Sequence, residues 1–219
     1  LFCELERIHS HMLWWGVAAH EGGFDTLFMY TWRDRETIMD ILENLCGNRV
    51  NYSANILGGV KFDVSQQQID MILKGLDFLE ERTKHYLDVI NTDESFLRRT
   101  VNIGTMSKEQ AELLGAVGPT ARASGVTQDL RIDAPYVAYD KYIPKVVVET
   151  AGDLHARFVV RINELFETYR LGREILADLP EGELQVKVPR KIRAGEVISR
   201  VEAPRGEVCD YSASSGGES

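Results

Sequence analysis

The chain has 219 residues, of which 44% are hydrophobic and 27% charged, enough for one well-buried domain or for one domain with a small appendage. A formal net charge of -9 argues against a nucleic-acid partner. No apolar run approaches the roughly 20 residues that span a bilayer, and no secretory signal pattern is present. The three cysteines, Cys3, Cys46 and Cys209, are far apart in sequence. An odd count without a C-x-x-C pair argues against a disulfide framework and against a self-contained zinc or iron–sulfur site.

In chain order, residues 3–21 read as a helix, with Leu5, Ile8, Met12, Trp15 and Ala19 at three- and four-residue steps and Gly22-Gly23 as its stop. Met12 to Ala19 is apolar on every face, which predicts a central rather than a surface helix. His20 and Glu21 follow at its end. A histidine in a last turn complements the helix dipole, whereas an acid there opposes it, which marks Glu21 for a functional or ion-paired role. His9, His11 and His20 share this helix, but His9 and His20 are about three turns apart, too far to share one metal.

A second helix is predicted over 27–46 and ends at Gly47-Asn48. A polar, glycine-bearing connection, N-Y-S-A-N-I-L-G-G-V, follows with turn chemistry. Ser65 is an N-cap candidate for a long helix reaching about Val89, and shorter helices are predicted at 94–100 and 107–114. Residues 116–145 carry no helical period, and an irregular stretch of this length is usually functional. Within it, Arg122 and Asp129 flank A-S-G-V-T-Q. They make either a substrate-facing turn or an internal clamp that holds the loop together. A last long helix is predicted over 152–179. Beyond Pro180 the period becomes two-fold in L-Q-V-K-V-P, E-V-I-S-R-V-E and E-V-C-D-Y-S-A, which predicts short strands. The expected class is mainly α with a small C-terminal β element (α+β). A helical core over 1–180 and strands over 181–219 would form one domain, truncated at both ends.

E-A-P-R-G-E, residues 202–207, holds the remaining candidates. Pro204 fixes φ, Arg205 offers a rigid fork of donors and Gly206 allows a sharp bend. The turn suits an anion or the nitrogen of a diatomic ligand equally with a salt-bridged hairpin corner.

Five motifs occur in order: E-L-E-R-I-H-S-H-M-L-W-W-G, F-M-Y-T-W-R-D-R-E-T-I-M-D-I-L-E, G-N-R-V-N-Y-S with a following G-G-V, R-A-S-G-V-x-x-D-x-R, and E-A-P-R-G-E. Together they resemble the large catalytic subunit of membrane-bound, energy-converting nickel–iron hydrogenases, a line that includes the D-type subunit of NADH-quinone oxidoreductase (respiratory complex I). The tryptophan pair, His20 and E-A-P-R-G-E resemble the hydrogenase branch more closely. That resemblance implies a central segment of a large subunit, walling a redox chamber for hydrogen–proton interconversion coupled to ion translocation. In the quinone branch the same cavity would take a quinone, and a non-catalytic scaffold is a third reading.

By resemblance, Glu21 lines the chamber and handles protons, and Arg205 after Pro204 sits over the metal centre. His11 and His20 belong to the same catalytic group, and Arg122 and Asp129 lie in a chamber-lining loop. The paired-cysteine motifs R-x-C-G-x-C and D-P-C-x-x-C are absent, and Ser10 stands where some hydrogenases have an acid between two histidines. No cofactor or metal is therefore expected in this segment, which should be inactive alone. A nickel–iron centre would belong to an intact hydrogenase parent, a quinone to a complex I parent. The implied partners are a small iron–sulfur subunit and membrane subunits, which would hold the protein peripherally on the cytoplasmic face of the membrane.

Overall fold

In a computed structural model that describes residues 1–189 and 191–218, four long helices form the body. These are α1 (Phe2–Glu21), α2 (Asp25–Cys46), α3 (Gln66–Thr92) and α8 (Leu154–Ala177). Their boundaries follow the sequence signals. Gly47 closes α2 in the left-handed conformation, and Ser65 with Gln68 forms a complete capping box at the start of α3. Asp153 caps α8 by accepting from the Ala156 N–H.

The core divides along the bundle axis. Towards the start of α1, Leu5, Ile8 and Met12 pack with Ile38, Leu42, Ile72, Leu76, Leu165 and Tyr169. Towards its end the filling is aromatic: Trp15, Tyr86, Phe96 and Phe158 with Ile90 and Ile162. The Trp15 and Phe158 rings meet edge to face with centroids 4.9 Å apart.

Between α3 and α8 lie α4 (Glu94–Thr100), α5 (Lys108–Leu113), α6 (Gly118–Arg122) and α7 (Leu130–Asp133). The stretch expected to be irregular over 116–145 thus contains two short helices, too brief to impose a period on the sequence. A small hairpin, β1 (Asn55–Ile56) and β2 (Gly59–Val60), occupies the glycine-bearing connection, whose composition predicts only a turn.

After α8, residues 184–189 run extended against β2 with a single bridge, Gly59 to Gln185, rather than as a full strand. The strands β3 (Lys191–Ile192) and β6 (Gly217–Glu218) pair at the base of a longer hairpin, β4 (Gly195–Ala203) and β5 (Gly206–Ser214). Most of that hairpin is exposed on both faces, and only its tip is buried, at Glu202, Pro204 and Gly206. The strands therefore touch the helices through the tip instead of lying on them along their length.

Candidate functional site

α1 is not enclosed on all sides, as its continuous apolar run predicts. Trp14, Val17, Ala18 and Glu21 follow each other at helical spacing and face an open groove of about 640 Å³, completed by Gly22, Arg99, Ile103 and Leu154. Val17, 43% exposed, has this groove as its surroundings. The run is apolar all round because one face meets the core and the other forms a wall. Within that wall Glu21 and Arg99 are the charged groups. Arg99 is held across the mouth by donating to the Gly22 carbonyl at 2.5 Å and by stacking over Phe24.

His20 and Glu21, adjacent in sequence, part company. The exposed His20 ring turns away to Asp25 Oδ1 at 2.7 Å and stacks near Phe28, a local tie between α1 and α2. Glu21 alone of the two lines the groove.

His11, Arg122 and Asp129 lie elsewhere, in a buried ionic network. Glu164 on α8 is its centre: one carboxylate oxygen accepts from Arg122 Nε at 2.8 Å, the other meets His11 Nε2 at 2.7 Å. Arg122 Nη1 also donates to Glu202 at 2.9 Å and to the Gln128 carbonyl at 3.0 Å, with Asp129 3.7 Å away. Arg131 holds Asp129 through two charged hydrogen bonds and reaches Glu4 at 3.3 Å. Arg7 donates to the Glu202 carbonyl at 2.8 Å. Of the two readings left open for Arg122 and Asp129, the geometry selects the internal clamp. It pins the loop and the β4–β5 tip to α1 and α8.

Burial opposes ionisation of Glu164, but His11 and Arg122 outweigh it and hold the carboxyl well below its usual range. For His11 burial wins: despite the adjacent carboxylate its pKa falls to about 4, so a neutral ring donates to ionised Glu164. Burial likewise disfavours the Arg122 charge, yet Glu164, Glu202 and Asp129 raise its pKa.

Arg205 does not line the groove. It is exposed at the hairpin tip beside buried Pro204, and the close contact of Gly206 with Gly118 seats that tip. A Cβ on Gly118 would lie 2.4 Å from the Gly206 Cα. Its charge nevertheless reaches Arg161, whose pKa is lowered to about 9 by burial, with Arg122, Arg157 and Arg205 adding repulsion. The Arg161 guanidinium lies 3.7 Å over the Trp14 ring. Glu21 and Arg205 thus do not share one cavity. Arg205 is linked to the groove wall only through its repulsion of Arg161, which stacks on the Trp14 ring.

Sequence reasoning missed Glu4, Arg7, Arg131, Glu164, Glu202 and Arg161. Their signal was present as charged residues on apolar helix faces, since Glu4, Arg7, Arg161 and Glu164 occupy core-facing positions of α1 and α8. The cysteines do not fit a thiolate-held nickel–iron centre. Cys3 begins α1, Cys46 ends α2 with its thiol on the Leu42 carbonyl, and Cys209 is exposed on β5.

The architecture is that of a protein found in respiratory membrane complexes. It superposes on a chain of the membrane-bound sulfane sulfur reductase, an archaeal respiratory membrane complex, with a TM-score of 0.91 at 28% identity, covering 98% of this chain and 60% of that one. The D-type subunit of NADH-quinone oxidoreductase from Bacillus anthracis is 36% identical over 219 residues, with 99% of this chain and 60% of the relative covered. A D-type subunit of the same enzyme from Anaeromyxobacter dehalogenans is 39% identical, with 98% and 58% covered. Residues 21–193 match the family of the 49 kDa subunit of respiratory-chain NADH dehydrogenase, and the chain belongs to that family. It spans about 60% of the length of these relatives. The quinone-oxidoreductase branch therefore fits better than the hydrogenase branch that the tryptophan pair and E-A-P-R-G-E favoured.

Proposed function

We propose that the chain serves as part of the D-type, 49 kDa-family subunit of an NADH-quinone oxidoreductase and that the groove at the end of α1 forms part of the wall of its redox chamber. Glu21 at the rim of an apolar wall supports this reading: a carboxylate sits where the helix dipole disfavours it and lines an open groove. Trp14, Val17, Ala18, Ile103 and Leu154 provide a surface suited to a quinone ring or its apolar tail and exclude water from it.

Glu21 is the group in position to exchange a proton with a quinone oxygen, and Arg99 to orient that oxygen or offset charge developing on it. Arg205, on its rigid turn beyond Trp14, adds positive potential to the wall without touching the substrate. The partners would be an iron–sulfur protein that delivers electrons and membrane proteins that couple the reaction to ion movement. They would hold the chain at the cytoplasmic face of the membrane.

Glu21→Gln in the intact complex tests the assignment. We expect NADH-to-quinone turnover to fall by at least roughly tenfold, with NADH oxidation by a soluble artificial acceptor unchanged. Full quinone turnover in an assembled complex carrying both Glu21→Gln and Arg205→Lys would leave the chain a scaffold.

A further inference from the structure

Behind the apolar wall of the groove lies a charge with no acid to balance it. Arg161 on α8 is 3% exposed and places its guanidinium over the Trp14 ring, 3.7 Å from the centroid. Its donors go to uncharged acceptors: Nη1 to the Arg157 carbonyl at 2.9 Å and Nη2 to Thr120 Oγ1 at 3.4 Å. Its Nε has no partner among the described residues. Arg122 and Arg131 are buried too, but each holds a carboxylate at ion-pairing distance. Among the described residues Arg161 has none.

Its surroundings do not neutralise it. Burial opposes the Arg161 charge and Glu164 supports it, while Arg122, Arg157 and Arg205 repel it. Glu164 is itself already engaged by Arg122 and His11. Arg157, one turn back on α8, spends its donors on the Gly104 and Gly152 carbonyls. Beside the groove, the buried carboxylate of Asp153 accepts from the Asn102 and Ala156 N–H groups. Glu21 and Arg99, both exposed in the same wall, offset each other and are screened by solvent. The charge left over is the buried one, which salt screens least. A guest that touches Trp14 comes within roughly 10 Å of it, about one screening length in 0.1 M salt.

We propose that Arg161 is a specificity-determining residue of the groove, acting through Trp14 to favour a quinoid ring that carries negative charge over a neutral ring of the same size. The inference rests on the reading of the groove as a quinone surface and adds which charge state it holds. An arginine projecting into the groove would attract any small anion from solution. A guanidinium behind an indole attracts only by its field, so a guest must also bring an apolar body to rest on Trp14, Val17 and Leu154.

Equilibrium dialysis of the purified chain against lawsone, a hydroxynaphthoquinone ionised at neutral pH, and against its uncharged methyl ether tests this. We expect lawsone to bind tighter by at least roughly fivefold, with the ratio largely kept in about 0.5 M salt. Arg161→Gln should bring the two affinities together by weakening lawsone alone. Val17→Trp, which fills the groove, should weaken both ligands by the same factor. Equal binding of the two by the unaltered chain overturns the inference, as does a ratio that survives Arg161→Gln. Loss of both ligands by the same factor in Arg161→Gln also overturns it, because the arginine then only supports the wall. Should that variant fail to fold, the salt series decides: a ratio that collapses in 0.5 M salt assigns the preference to exposed Arg99 instead. Binding of neither ligand, or binding indifferent to Val17→Trp, overturns the groove reading and this inference with it.

Discussion

The groove at the end of α1 and the ionic network around Glu164 draw on the same side-chain chemistry, acids and arginines set on helix faces, and arrive at opposite uses. In the network each acid meets a cation or a donor at close range, and the whole is sealed. Four carboxylates (Glu4, Asp129, Glu164, Glu202) face the arginines Arg7, Arg122, Arg131 and Arg161 around a neutral His11. Such pairing offsets part of the cost of burying charge, although Glu4 Oε2, Arg7 Nε and Nη1, Arg122 Nη2 and Arg161 Nε keep no hydrogen-bond partner among the described residues. In the groove, Glu21 and Arg99 share an apolar wall open to solvent. Charged residues in the middle of a fold are therefore poor markers of chemistry, and a charged residue that breaks a helix rule beside open space is a better one.

The sharpest way to break this comparison is to remove one acid from each region. Glu164→Ala strands Arg122 and His11 in the interior and should cost about 3–5 kcal/mol in urea unfolding. Glu21→Ala should leave the unfolding midpoint unchanged. Equal effects would abolish the distinction.

Acid offers a smaller perturbation. Because the folded-state pKa of His11 is depressed from 6.5 to about 4, the unfolded chain binds its proton first and stability falls as pH drops from 6.5 towards 4. Between pH 7 and 5 this amounts to about 2 kcal/mol. Most of it should vanish in His11→Gln when urea midpoints are compared at the two pH values. Below that window the depressed carboxylates Glu164 and Asp129 extend the loss.

A change of comparable size but narrower reach concerns the seat of the hairpin. Gly118→Ala brings a methyl against the Gly206 backbone in a left-handed conformation and should cost about 1–3 kcal/mol. Amide exchange should then accelerate along β4 and β5 while α1 and α3 keep their protection. Uniform acceleration would mean that the tip is integral to the core.

The long helices were legible because their caps and periods are local: Ser65 with Gln68, Gly47 and Asp153 each announce a boundary. The class, mainly α with a late β element, followed from the change of period after Pro180. The β1–β2 hairpin was hidden because two-residue strands carry too few positions to show alternation. Its partner is residues 184–186, more than 120 positions away. Of the site, Glu21 was recognisable by its conflict with the helix dipole. The fate of Arg122 and Asp129 was not, since their decisive neighbours, Glu164 and Glu202, come from α8 and β4. Arg205 carried a clear local signal in its Pro/Gly-framed turn, yet it is exposed at the hairpin tip and absent from the groove lining, a placement set by where β4 and β5 meet the helices.

One ring has an optical consequence. Trp14 carries a guanidinium on its ring and also borders the groove, whereas Trp15 is sealed in the core. A guest that displaces water from the groove changes the polarity around this indole while the cation stays fixed. Of these two adjacent tryptophans, Trp14 is thus the one whose emission colour registers occupancy, so filling the groove can be followed by fluorescence without a label.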